Sequence, residues 1–343
     1  MYLQASDNDV YIVAEVSANH AGSLELVLAL AEAAKAAGAD CLKLQTYTPD
    51  SLTVPCDNAN FRITSGPWAG LNLYELYSIA AMPYEWQPRI MEHCYRIGLG
   101  FLSTPFDEEA ADFLEELGIS AFKIASFELV HIPLLRHIAR KGKPMVLSCG
   151  MARPEEIGEA LAAILEEGLS RDNIILLKCT SSYPSAEEDM HLATIPDMRR
   201  RYGCRVGLSD HSLGIAAPIA AVALGACFIE KHICLSRLLP SPDSSFSMEP
   251  HEFSGMVNGV RSAAKMRGHV TYGTANEMPA LRRSIFITQD IQKGTILSHK
   301  NTRCIRPGHG LHPRYLHEVL GLRINTAATK GTPLSWEMLE PNP

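Results

Sequence analysis

Two hydrophobic patterns alternate along this chain: short apolar runs, and longer segments in which apolar residues recur every three to four positions. The short runs predict strands of a parallel sheet covered on both faces, because such strands are apolar almost throughout. The predicted strands span residues 10–17, 41–47, 100–106, 121–126, 145–150, 174–180, 206–211 and 227–233. The longer segments predict helices at residues 24–37, 84–97, 108–117, 133–140, 154–167, 192–201, 215–224 and 250–267. Eight such units in series predict an α/β fold, a closed (β/α)8 TIM barrel.

An insertion follows the second predicted strand, at residues 48–82, and carries Trp68, Tyr74 and Tyr77. It is too long for an ordinary connection between a strand and a helix. Loops of this length in a compact domain usually serve a function or form a lid, so we expect one of these roles here.

The pattern changes after residue 267. Residues 268–280 lack apolar periodicity and predict a linker, and residues 281–343 contain short strand-like runs at 284–288 and 295–297. About 60 residues bury only a marginal core, so this small domain should dock against another surface. The predicted organisation is a catalytic barrel at 1–267, a linker at 268–280 and a C-terminal domain at 281–343.

Composition narrows the possible functions. Hydrophobic residues make up 46% of the chain and charged residues 20%, which is typical of a folded protein. The net charge is -7 and no run of Lys or Arg exceeds residues 199–201, so we expect neither nucleic acid nor a membrane as partner. Nine cysteines without a C-x-x-C motif, and a start without a secretory signal, lead us to expect a cytoplasmic protein.

Polar residues recur where the predicted strands end, which is where TIM barrels place their reacting groups. Lys43 and Lys123 interrupt apolar strands, and serine hydroxyls stand at neighbouring strand ends: Ser126, Ser148, Ser181 and Ser209. Ammonium and hydroxyl groups in this arrangement suit a ligand with a phosphate and a carboxylate. Two alternatives remain open, a lysine that merely reaches out to solvent and a lysine that forms a Schiff base.

Two histidines, His211 and His232, end the seventh and eighth predicted strands. Adjacent strand ends would let both imidazoles bind one cation, and Asp210, Glu15 and Asp243 would supply oxygen atoms nearby. This mixture of nitrogen and oxygen donors favours Mn²⁺ or Mg²⁺ as the cofactor. The alternative is that each histidine is a hydrogen-bonded core residue.

The strand-end motifs together resemble those of the sialic-acid synthase family, and within it the pseudaminic acid synthases. The resemblance covers nearly the whole chain. It is carried by residues 14–20 (AEVSANH), 43–46 (KLQT), 103–106 (STPF), 123–126 (KIAS), 207–211 (GLSDH) and 230–232 (EKH). The segment from Arg282, with 306–308 (RPG), resembles the family's antifreeze-like SAF domain, a β-clip fold.

Three segments point to the pseudaminic branch: residues 68–77, 243–250 and 310–313. Neuraminate synthases usually have histidine where this chain has Ser244, and asparagine where it has Ser181. These departures favour a pseudaminate-type acceptor, with N-acetylneuraminate or legionaminate synthases as alternatives.

The resemblance implies a transferase that condenses phosphoenolpyruvate with 2,4-diacetamido-2,4,6-trideoxy-L-altrose. Phosphoenolpyruvate would be held by Lys43, Lys123, Ser126, Ser148, Ser181 and Ser209. The metal would be bound by His211 and His232, while Glu15 and Asp243 would handle water and a sugar hydroxyl. The family likeness also implies a domain-swapped homodimer in which Arg306 reaches an N-acetyl group of the partner's substrate. A Schiff-base sugar aldolase and a binding-only protein are the more distant alternatives.

Overall fold

The structure is a computed structural model that describes residues 10–273 and 277–341. The chain divides into two compact units, Met1–Gly268 and His269–Pro343. The start of the chain, on which the expectation about a secretory signal depends, lies outside the described residues, and so do residues 274–276 of the predicted linker.

The first unit contains eight parallel strands. They are β1 Tyr11–Glu15, β2 Cys41–Thr46, β3 Gly100–Pro105, β4 Phe122–Ile124, β5 Met145–Ser148, β6 Ile174–Cys179, β7 Arg205–Asp210 and β8 Phe228–His232. Their order is β3-β2-β1-β8-β7-β6-β5-β4. Within the described residues no ladder joins β3 to β4, although the two strands lie side by side. The predicted α/β barrel fold is confirmed.

Helices follow the strands and cover them. They are α1 Leu24–Ala36, α2 Pro49–Leu52, α3 Leu73–Ala80, α4 Gln87–Arg96, α5 Glu108–Leu117, α6 Ile132–Arg140, α7 Pro154–Glu166, α8 Thr194–Tyr202, α9 Ala216–Ala223 and α10 Pro250–Arg267. Helix α5 shows how sequence fixes the bounds: Asp107 accepts a hydrogen bond from Ala110 N at the start, and Gly118 at φ 83° ends it.

The barrel contains two hydrophobic regions. Small and medium side chains such as Val13, Val146 and Leu177 fill the lower interior of the barrel. A larger cluster, including Leu42, Leu114 and Phe253, lies between the strands and the surrounding helices. The lower interior is therefore apolar. The polar side chains of the strands lie at the carboxyl ends, where barrels of this type place their reacting groups.

The insertion after β2 contains helices α2 and α3. Asn72 and Glu75 form a reciprocal capping box at the start of α3. His20, in the loop after β1, contacts the backbone oxygen of Ala80 through Nε2 at 3.0 Å. This contact fastens the end of the insertion to the barrel.

The C-terminal unit contains the antiparallel pair β9 Ser284–Ile287 and β10 Thr302–Ile305, and the short helix α11 Leu316–Val319. Its own core includes Ile285, Leu297 and Leu334. The predicted strand at 295–297 is wrong, because Ile296 makes only an isolated bridge with Arg323. Strand β10 escaped prediction because its apolar residues are too few for a clear pattern.

In the described part of the chain, no helix combines the length and the apolar character needed to cross a bilayer.

Candidate active site

Two buried lysines surround a buried carboxylate at the upper end of the barrel. Lys43 and Lys123 each place Nζ 3.7 Å from Oε1 of Glu230, which lies on β8. Lys43 Nζ also lies 2.7 Å from Oε2 of Glu15, and Glu15 accepts a hydrogen bond from Gln45. We call Glu15, Lys43, Lys123 and Glu230 the charge cluster. The structure thus brings together both candidate lysines and Glu15.

The members of the charge cluster shift one another's pKa. Burial lowers the pKa of Lys123, whereas for Lys43 burial is outweighed by Glu15 and Glu230, which raise its pKa. Burial raises the pKa of Glu15 against the opposing effect of Lys43. For Glu230 burial is outweighed by Lys123 and Lys43, so its pKa falls. The cluster therefore contains one firmly ionised carboxylate and one carboxyl group that holds a proton more readily.

Serine hydroxyls converge around Gly150, just after β5. Ser126 Oγ accepts a hydrogen bond from Gly150 N at 3.0 Å. A Cβ atom at Gly150 would lie 2.3 Å from Ser181 Oγ and 2.9 Å from Ser126 Oγ. Ser181 Oγ is buried and has no hydrogen-bond partner within the described residues. This cradle, formed by Gly150, Ser126 and Ser181, can offer hydroxyl groups to a ligand oxygen.

The other two candidate serines bond to the charge cluster. Lys123 Nζ donates to Ser148 Oγ at 2.7 Å, and Ser209 Oγ donates to Glu230 Oε1 at 3.2 Å. Both hydroxyls are buried. They link the ammonium and carboxylate groups to the ends of β5 and β7.

The rings of His211 and His232 lie next to each other, with centroids 5.4 Å apart. His211 Nδ1 lies 2.8 Å from the backbone oxygen of Thr180, which favours a proton on Nδ1 and leaves Nε2 free. His232 Nδ1 is buried without a hydrogen-bond partner in the described part of the chain. Burial, followed by the charge of His211, lowers the pKa of His232 well below its usual value.

The expected oxygen donors lie in different places. Asp243 Oδ2 lies 4.0 Å from His232 Nδ1 and accepts a hydrogen bond from Ala18 N at 3.2 Å. The prediction for Asp210 is wrong, since both its carboxylate oxygens bond to Lys231 and Ser212. Across residues 10–273 and 277–341, no group of three or more His, Cys, Asp or Glu residues is arranged to hold a metal ion.

Aromatic residues from three loops cover the histidine pair. Trp68, in the insertion, donates from Nε1 to the backbone oxygen of Pro242 at 3.0 Å. Its ring lies 5.4 Å from that of Tyr183 and 6.4 Å from that of Phe246. Tyr183 in turn lies 4.2 Å from His211, and Phe246 lies 5.1 Å from His232. The insertion therefore reaches over the mouth of the barrel, as a lid would.

Glu128, which is half-buried, adds a further carboxyl group close to β4. Its Oε2 atom has no hydrogen-bond partner among the residues that the structure describes. Burial raises the pKa of Glu128 to about 7, with a backbone hydrogen bond and Lys123 in partial opposition. The group therefore changes charge near neutral pH.

We predict that Glu128 makes the folded protein less stable as the pH rises from about 4.5 to about 7. In this range the unfolded chain releases the proton that the folded chain retains, which lowers the free energy of unfolding by up to about 3 kcal/mol. Urea unfolding across this range should show Glu128→Gln gaining stability relative to the wild type, with a plateau on either side. A difference that does not vary with pH would contradict the raised pKa.

Arg306 belongs to the C-terminal unit, where it directly follows β10 and is exposed.

Known protein families match both units of the chain. The model of the NeuB family matches residues 30–272, and that of the SAF domain matches residues 282–340. The chain belongs to the NeuB family. The predicted resemblance and the predicted SAF domain are thereby confirmed.

Relatives within the NeuB family match over nearly their full length. A pseudaminic acid synthase of Campylobacter jejuni is 44% identical over 93% of this chain and 94% of the relative. A pseudaminic acid synthase of Helicobacter pylori is 39% identical over 96% of this chain and 97% of the relative. The crystal structure of N-acetylneuraminic acid (sialic acid) synthetase from Leptospira borgpetersenii, in complex with citrate, has a TM-score of 0.71 at 32% identity. It covers 79% of this chain and 89% of that chain.

Sequence reasoning about this NeuB-family chain missed several site residues. Glu230 belongs to the 230–232 motif, but its position between two lysines depends on the closure of the barrel, which brings β8 near β2, two strands away, and across from β4. Gly150 ended one predicted strand and Glu128 followed another, although neither was assigned a role. An alternation of inward and outward side chains along each strand was the available signal.

Proposed function

We propose that this chain is a pseudaminic acid synthase. It would condense phosphoenolpyruvate with 2,4-diacetamido-2,4,6-trideoxy-L-altrose and give the nonulosonic acid plus phosphate. The observation that carries the proposal is the pair of buried lysines beside the serine cradle and the two imidazoles. The similarity to named pseudaminic acid synthases, at 39% and 44% identity, supports this acceptor.

Phosphoenolpyruvate would lie between the charge cluster and the cradle. Its carboxylate and phosphate need several positive or hydrogen-donating groups, and these are supplied by Lys43, Lys123, Ser126, Ser148, Ser181 and Ser209. The ammonium groups act from a buried position, where a charge interacts more strongly with an anion than it does in water. The unpartnered Ser181 hydroxyl supports binding of an oxygen atom at the cradle.

The histidine pair fits a divalent ion. His211 would present Nε2 to the ion because Nδ1 faces a carbonyl oxygen, and His232 Nδ1 is buried without a hydrogen-bond partner in the described chain. Two protein ligands would leave coordination positions for substrate oxygen and water, as is common for Mg²⁺ and suits Mn²⁺. When bound, such an ion supplies Lewis acidity toward an aldehyde oxygen.

The proposed reaction joins C3 of phosphoenolpyruvate to the aldehyde carbon of the sugar. The aldehyde oxygen takes up a proton and becomes a hydroxyl group. Water then adds at C2 and gives up a proton, and the resulting intermediate expels phosphate to give the 2-keto acid. Lys43 and Lys123 would stabilise the carboxylate and the departing phosphate. Glu15, whose pKa is raised by burial, would hold or accept the proton of the water. Asp243, fixed by Ala18 N, would orient a sugar hydroxyl.

The partner of the reaction site would be a second copy of the chain. Residues 269–343 contain nine Lys or Arg against five Asp or Glu, whereas residues 1–268 contain 22 against 33. This opposite charge supports a domain-swapped homodimer in which the C-terminal unit covers the partner's barrel and Arg306 contacts the acceptor. A cytoplasmic location would give such an enzyme access to phosphoenolpyruvate.

Phosphate release from phosphoenolpyruvate tests the function directly. The purified protein should release phosphate with the altrose derivative at a rate at least tenfold higher than with N-acetylmannosamine or the legionaminate precursor. Excess EDTA should abolish turnover, and Mn²⁺ or Mg²⁺ should restore it. Equal turnover with N-acetylmannosamine would favour a neuraminate synthase. Undiminished turnover in excess EDTA would refute the metal assignment.

A Schiff-base aldolase is the second candidate, and the lowered pKa of Lys123 is the observation that favours it. A lysine that loses its proton more readily is a better nucleophile. Borohydride added with substrate would trap a covalent adduct on Lys123 in that case. The proposed synthase forms no such adduct.

A further inference from the structure

Asp210 and Lys231 form an ion pair that is almost inaccessible to solvent. They are opposite one another in the β7–β8 ladder, and both are 1% exposed. Lys231 Nζ bonds to Asp210 Oδ2 and donates to the backbone oxygen of Ser212 at 2.6 Å. Asp210 Oδ1 accepts hydrogen bonds from Ser212 N at 2.9 Å and Ser212 Oγ at 2.7 Å. The pair therefore joins two strand ends and the turn after β7.

This ion pair stands directly beside the histidine pair in sequence. Asp210 precedes His211, and Lys231 precedes His232. Successive side chains of a strand point to opposite faces. His232 and Glu230 share the inner face of β8, so Lys231 lies on the outer face, where it meets Asp210. The ion pair thus holds the two strands from behind the imidazoles.

A gain in folding stability does not by itself explain why a buried ion pair is present here. Removing two charges from water is costly, and well-packed apolar residues in their place are often as stable or more so. A buried ion pair with additional hydrogen bonds does, however, fix geometry, because hydrogen bonds from several directions hold both charged groups in place. The geometry fixed here is the relative position of the ends of β7 and β8.

We propose that Asp210 and Lys231 are positioning residues that set the separation of His211 and His232 for a divalent cation. The inference rests on the metal site of the proposed function. It assigns these two residues a role behind the site, in place of the direct ligand role expected for Asp210.

Binding of Mn²⁺ to the metal-free full-length protein tests this role. Lys231→Met and Asp210→Asn should each weaken Mn²⁺ binding in calorimetry by about 10- to 100-fold, the usual effect of losing support behind a metal ligand. With Co²⁺ as the probe, the visible absorption spectrum should change in intensity, since it reports on ligand geometry. Neither readout depends on turnover.

Asp40 offers a matched control at the opposite end of the barrel. Its carboxylate bonds to Arg261 at 2.6 and 2.7 Å and accepts a hydrogen bond from Ile12 N at 2.8 Å. Asp40→Asn therefore also removes a charge that joins a strand to its surroundings. It should leave Mn²⁺ affinity unchanged within twofold.

A double variant separates positioning from stability. Asp210→Leu with Lys231→Met removes both charges, so it should unfold at a higher urea concentration than either single variant and should still bind Mn²⁺ at least tenfold more weakly than the wild type. Wild-type affinity in this stable double variant would overturn the inference, as would unchanged affinity in the folded single variants. A wild-type protein that binds no divalent cation would instead refute the proposed metal site, and the inference with it.

Discussion

Lys123→Met is expected to lower kcat/KM for phosphoenolpyruvate by about 100- to 1,000-fold, the effect of removing one preorganised group that stabilises charge in a transition state. Lys123 is buried, donates to Ser148 and faces Glu230. Methionine is also unbranched and nearly as long, but it carries no charge. Steady-state phosphate release with a saturating amino sugar measures the loss.

The same substitution should destabilise the fold by about 3 kcal/mol, because it leaves the buried Glu230 with Lys43 as its remaining ammonium partner in the charge cluster. Adding Glu230→Gln should recover much of this stability without restoring turnover. Recovery of turnover in the double variant would show that Lys123 acts on folding alone. Lys35→Met is the control, since Lys35 bonds to the backbone of Gly98 at the lower end of the barrel and should not affect kcat/KM.

Gly150→Ala is expected to raise KM for phosphoenolpyruvate by about 100-fold, which corresponds to about 2.7 kcal/mol of binding free energy. The added methyl group would lie 2.3 Å from Ser181 Oγ, a distance at which one of the two must move. If Ser181 Oγ moves, the unpartnered hydroxyl is displaced from the cradle. If it stays, the methyl group occupies the cradle. Titration of initial rate against phosphoenolpyruvate gives the shift in KM.

Gly158 provides the comparison for this substitution. It lies within helix α7, and a Cβ atom there would meet no other atom within 4 Å. Gly158→Ala should raise stability by up to about 1 kcal/mol and leave KM unchanged. If Gly150→Ala also leaves KM unchanged while the protein remains folded, the cradle does not bind the substrate.

The barrel could be predicted from the sequence because the hydrophobic periodicity agrees with the residues that start and end the helices. Helices α5 and α10 occur at the predicted bounds, where Asp107 caps the first and Pro250 begins the second. The predicted strands ran one or two residues too far at their carboxyl ends, where the chain leaves the ladder while most of its residues remain buried. Burial preserves the hydrophobic pattern beyond the last ladder residue.

The site was only partly readable. Strand ends indicated the lysines and histidines, but the contact between Trp68 and Pro242 joins segments 174 residues apart, which no local pattern reveals. The wrong prediction of Asp210 as an oxygen donor to the metal could have been avoided from the local sequence. Since His211 faces inward, the period of two along β7 places Asp210 outward, toward Lys231.

The gap in the ladder between β3 and β4 gives the barrel a seam. Neighbouring strands that share no backbone hydrogen bonds can separate at a lower free-energy cost than strands joined by a ladder. Strand β4 has three residues, and Lys123 is the middle one. Lys123, one of the two lysines that we propose bind phosphoenolpyruvate, therefore lies on a strand at this seam, where the barrel wall is expected to open more readily than between strands joined by a ladder.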